Sequence, residues 1–156
     1  MPNTLGSRRG VTLAEVHPYQ ASPAHAEAAF GFLAALGFAC VERFVTGGVS
    51  FRDGWRLTYE SVELQVAVQY IDAQFEVHFR RGGLDASYLF LDRELFSRRS
   101  GFGGDMFPRQ KLGPAIDRIA NDIRDNYGDV LAASPEVWRR IRQQLEAPTT
   151  RGPRLP

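Results

Sequence analysis

One cysteine, Cys40, and one lysine, Lys111, stand among 156 residues. A lone cysteine forms no disulfide within its chain, which fits a reducing cytoplasm. The charge balance lacks an excess of either sign: 19 basic against 18 acidic residues, net +1. A dedicated nucleic-acid binder needs a strong basic excess, so no nucleic-acid partner is expected. No stretch approaches the ~20 apolar residues that span a bilayer. "MPNTLGSRRGVTLAEVHPYQ" also lacks the apolar run of a secretory signal. The expectation is a cytoplasmic protein with no membrane partner. His17, His25 and His78 are far apart, and none has a second ligand at metal spacing. Neither a metal nor a cofactor is therefore expected.

What is present is ordinary for a globular chain: 44% hydrophobic and 24% charged residues. The length fits one domain with a sizeable core. Residues 1–20 carry Pro2, Gly6, Gly10 and Pro18, and read as an N-terminal arm with a short strand around Val11–Val16. Residues 147–156, "APTTRGPRLP", read as a disordered tail. Residues 21–146 remain as a single α+β domain.

A helix is predicted to start at Ser22-Pro23 and to end at Gly37, with Phe30, Leu33 and Leu36 as its apolar stripe. In "FACVERFV", Phe38, Cys40 and Phe44 fall at even spacing, with Cys40 expected as a small buried hydrophobe. Asp53-Gly54 resembles a two-residue hairpin turn. Leu64, Val66, Val68 and Tyr70 then share one face of a strand, as do Phe75, Val77 and Phe79 of the next. "SYLFLDREL" fits an edge strand or a helix start equally well. Pro114 and Gly128 bound a helix with Ile116, Ile119, Ile123 and Tyr127 on one stripe. Ser134-Pro135 opens another, with Val137, Trp138, Ile141 and Leu145 inward. The expected fold is a four- to five-stranded antiparallel meander, with an N-terminal helix and two C-terminal helices packed on one face.

The chemistry-bearing candidates are few. "RRSGFGGDMFPRQ" (98–110) is neither G-x-G-x-x-G nor a Walker loop, and Asp105 would repel a phosphate. It does combine Phe102, Met106 and Phe107 with Arg98, Arg99 and Arg109. Aromatic and arginine side chains dominate interface hot spots, so these six residues and Trp55 are the candidate partner contacts. Glu76 and His78 point to one strand face, where Glu63 could join them as an acid/base set. Cross-strand polar pairs on a solvated sheet look the same. Trp55 and Tyr59 lie opposite Arg56 and Thr58, and "WRRIRQQ" (138–144) gives a basic helix face suited to an acidic partner.

The strand pair in "YESVELQVAVQY" and the late "YGDVL" before a short final helix resemble small immunity-type proteins of bacterial polymorphic toxin systems and related uncharacterised families. The resemblance covers roughly residues 24–145. It implies a non-enzymatic, stoichiometric binder that occludes a toxin domain, with no catalytic residues. A secretion chaperone-like homodimer is the alternative, followed by a small enzyme using Glu76 and His78.

Overall fold

The computed structural model describes residues 18–46, 54–96 and 109–147. The expected arm strand and most of the tail lie outside them. The alternating stretches become strands: β1 (Ala39–Val45), β2 (Trp55–Glu60), β3 (Gln65–Ile71), β4 (Gln74–Arg81) and β5 (Leu84–Ser87). They form one antiparallel sheet in the order β1-β2-β3-β4-β5. The register stacks the apolar positions in rows across the inner face. Trp55 opposes Tyr70 and Tyr70 opposes Phe75; Leu57, Val68 and Val77 form the next row, and Tyr59, Val66 and Phe79 the third. All nine side chains are buried.

The helices are α1 (Pro18–Ala29), α2 (Phe32–Ala35), α3 (Tyr88–Glu94), α4 (Arg109–Asn126), α5 (Gly128–Leu131) and α6 (Pro135–Glu146). Ile116, Ile119, Ile123 and Tyr127 join the strand rows in one core, as do Trp138 and Ile141 of α6. Tyr127 anchors the junction: its ring lies 5.7 Å from Phe79, 5.5 Å from Tyr88 and 4.7 Å from Phe96, centroid to centroid. Such pairs add about 0.5–1.5 kcal/mol each beyond buried area. The ambiguous "SYLFLDREL" resolves at Ser87, which ends β5 and caps α3 by accepting the Phe90 N–H at 3.1 Å. The Tyr88 hydroxyl then donates to Asp122 at 2.7 Å, tying α3 to α4. No helix among the described residues is long and apolar enough to cross a membrane.

Several local expectations fail for identifiable reasons. The first helix begins by Pro18, so Pro23 sits in its second turn, where only one early backbone hydrogen bond is lost. That helix breaks at Phe30-Gly31, and Leu36 is 53% exposed rather than part of the stripe. Gly37, at φ +88°, still closes α2, and the Phe38 N–H bonds the Leu33 carbonyl at 3.0 Å. Pro114 lies inside α4, and Gly128 opens α5 instead of closing α4. The left-handed closing residue there is Ala133 (φ 54°), followed by a Ser134 N–H to Asp129 carbonyl bond of 3.0 Å.

The hairpin turns are also redistributed. Val45 pairs with Trp55, so the β1–β2 connection runs from 46 to 54 and is no two-residue turn at Asp53-Gly54. The tight turns are Asp72-Ala73 (φ 52° and 62°) and Gly82-Gly83 (φ 51° and 82°). Positive φ at both central positions matches the twist of the flanking strands. Ala73 bears that conformation at a steric cost that glycine avoids. Ala73→Gly is expected to stabilise the protein by about 0.5–1 kcal/mol, read as a higher urea midpoint at unchanged slope.

Candidate functional site

The five strands present a second face, opposite the helices, that carries the polar side chains. The register lays them out in rows: Phe44–Arg56–Gln69–Glu76, Glu42–Thr58–Ala67–His78–Ser87 and Glu60–Gln65–Arg80–Asp85. Thr58 (6% exposed) and Ala67 (0%) are small and central, and their neighbours screen them from solvent.

Around these two residues the polar groups join in a chain. Gln69 Nε2 donates to Glu76 Oε2 at 3.0 Å, and His78 Nε2 lies 3.2 Å from that same oxygen. His78 Nδ1 is 2.9 Å from Asp85 Oδ1. Arg80 donates through Nε to Asp85 Oδ2 at 3.1 Å and through Nη1 to Gln65 Oε1 at 3.2 Å. Gln65 Nε2 completes the chain by donating to Glu60 at 2.9 Å. Glu76 and His78 are thus together, as the strand spacing predicts. Glu63 does not join them, because it lies in the β2–β3 turn. Asp85, from the β4–β5 hairpin, takes its place.

Both His78 nitrogens face carboxylates. The ring is thus clasped on both sides and links Glu76 of β4 to Asp85 of β5. The arrangement orders the sheet surface. Burial works to raise the pKa of Asp85, but the hydrogen bonds and charges of His78 and Arg80 outweigh it and hold the carboxyl below its ordinary 3.8. A depressed folded-state pKa contributes stability above the unfolded value, and that contribution fades as pH falls through the folded one. Asp85→Asn is therefore expected to lower stability at pH 7. The gap from the parent should close on acidification below about pH 4, as urea melts across that range would record.

The other end of this face belongs to β1. A bulge between Cys40 and Glu42 shifts the pairing by one residue. It breaks the even spacing of "FACVERFV": Phe38 is buried, Cys40 is exposed, and Phe44 turns to the outer face, 47% exposed. The expectation of a buried Cys40 is corrected by this edge position. Arg56 lies over the Phe44 ring, 5.8 Å from its centroid, and donates to Glu42 at 2.9 Å. Arg43 pairs with Glu27, and His25 with Asp117 at 2.8 Å, fastening β1 to α1 and α1 to α4. Burial pushes the Tyr59 phenol up, aided by Cys40 and Glu27, so it stays neutral beneath this edge.

Trp55 must be removed from the partner contacts. Its side chain is 0% exposed and packs 6.4 Å from Tyr70 and 6.2 Å from Phe75. Arg98, Arg99, Phe102, Met106 and Phe107 lie outside the described residues, and Arg109 begins α4. Among the described residues no group of three or more histidine, cysteine or acidic side chains could hold a metal. The Phe44–Arg56–Glu42 cluster was not readable from sequence, because a bulge leaves no mark in hydrophobic spacing. Compared with known proteins, the chain matches no family model, no curated protein and no solved structure.

Proposed function

We propose that the chain is a non-enzymatic protein-binding module, an immunity-like protein that occludes a bacterial toxin domain in the cytoplasm. The carrying observation is the Phe44–Arg56–Glu42 cluster on the outer face beside edge strand β1. An aromatic ring and an arginine held in place before binding have the composition of an interface hot spot. Their ordering also lowers the entropy lost on association. The 98–109 segment supplies further contacts of the same composition.

The test is co-expression and pull-down with the product of the neighbouring gene, followed by affinity measurement. Phe44→Ala combined with Arg56→Ala is expected to weaken binding by about a hundredfold, the scale of a hot-spot pair. Unchanged affinity would take the β1 face out of the interface. The matching pair Phe102→Ala and Phe107→Ala tests the 98–109 segment. Light scattering should give one species near 17.5 kDa. An obligate dimer would favour the chaperone-like reading instead.

A further inference from the structure

The strand alternation that places Arg80 on the outer face places its neighbour Arg81 on the inner side. Arg80 is bound there by Asp85 and Gln65. Arg81 meets α6 at the opposite edge of the sheet from β1. A hollow of about 530 Å³ opens between α6 and the β4–β5 hairpin, lined by Arg81, Leu84, Pro135, Trp138, Arg139 and Arg142. Pro135, Trp138, Arg139 and Arg142 follow helical spacing, so a single stripe of α6 faces the hairpin. Arg81, Arg139 and Arg142 have no ion-pair or hydrogen-bond partner among the described residues. The other arginines of the sheet and its edge, Arg43, Arg56 and Arg80, are all paired. Neither Glu136 nor Glu146, the two acids of α6, lines the hollow.

Gathering three unpaired guanidinium groups around one concavity costs repulsion, which a multiply charged anion would relieve. We propose that this hollow binds a phosphate-bearing ligand through Arg81, Arg139 and Arg142. Guanidinium groups match phosphate oxygens in planar, bidentate pairs. The volume falls within the range of small-molecule sites, about 300–1,000 Å³. It exceeds what a single phosphate needs, and Leu84, Pro135 and Trp138 supply an apolar wall. The ligand class is accordingly a di- or triphosphate, free or carried on an organic group. Trp138 is anchored in that wall, since its Nε1 donates to the Val130 carbonyl at 3.1 Å. The Gly82-Gly83 turn holds Arg81 at the rim.

Calorimetric titration of the full chain with inorganic triphosphate tests this. Saturable one-to-one binding is expected, weakening as salt is raised. Arg139→Ala and Arg142→Ala should each weaken it about tenfold. Arg140→Ala lies on the same helix away from the hollow and should leave it unchanged. A parallel titration with a nucleoside triphosphate distinguishes the sources. Tighter binding assigns the apolar wall to an organic group, and equal binding assigns the site to the phosphates alone. Absence of binding overturns the proposal. So does equal weakening by Arg140→Ala, or citrate binding as tightly as triphosphate. The hollow and the β1 face lie at opposite edges of the sheet. Loss of triphosphate binding would thus leave the protein-binding reading standing, and the converse holds too.

Discussion

Trp55→Ala is expected to cost about 4 kcal/mol of stability, enough to leave a domain of this size marginal. The ring is fully buried at the end of the first core row and packs against both Tyr70 and Phe75. Its removal leaves a cavity that neighbouring strands, fixed by their hydrogen-bond ladder, cannot close. Trp55→Phe separates packing from polarity. Trp55 Nε1 is buried without a hydrogen-bond partner among the described residues, so phenylalanine removes a costly donor along with some volume. Chemical denaturation should show the phenylalanine variant losing far less than the alanine variant. Equal losses would show that the indole nitrogen is satisfied. A partner-contact tryptophan would instead leave stability nearly unchanged in both variants.

Gly54→Ala is the second large effect, expected at about 3 kcal/mol. A Cβ at this position would come within 2.1 Å of the Tyr70 carbonyl oxygen and 3.0 Å of the Ile71 Cα. Both are backbone atoms of the adjacent strand, so no rotamer change relieves the clash. Gly54 also binds back to Thr46, accepting its N–H at 2.9 Å and donating to its hydroxyl at 2.6 Å. The neck of the β1–β2 connection and the β2–β3 pairing would be disturbed together. A control is Gly82→Ala, where nothing lies within 4 Å of the added carbon. There the cost is only that of a left-handed backbone, φ +51°, about 1 kcal/mol. Thermal melts of the two variants should differ clearly; similar losses would mean the strands part easily at Tyr70.

These two residues also show where reading the sequence succeeds and where it stops. Asp53-Gly54 has the composition of a tight turn, yet Gly54 is there because a neighbouring strand leaves no room for a side chain. The tight turn is at Asp72-Ala73, whose composition signals it poorly. Turn propensity is local, whereas close approach of two strands is a property of their pairing. The acid–base pair was legible as far as Glu76 and His78, two apart on a strand. Its third member, Asp85, enters through the β4–β5 register, which no spacing within one strand encodes.

The sequence by itself determined the α+β class, the strand faces from Leu64 to Phe79, and the inward stripes of α4 and α6. Periodicities of two and 3.6 residues are written directly in the chain, because burying one face dominates folding energy. Only the tertiary structure decided which way Trp55 and Phe44 point, how β1 is bulged, and which arginines go unpaired among the described residues. Those outcomes depend on register and on packing between segments distant in sequence. There a shift of one residue exchanges core for surface.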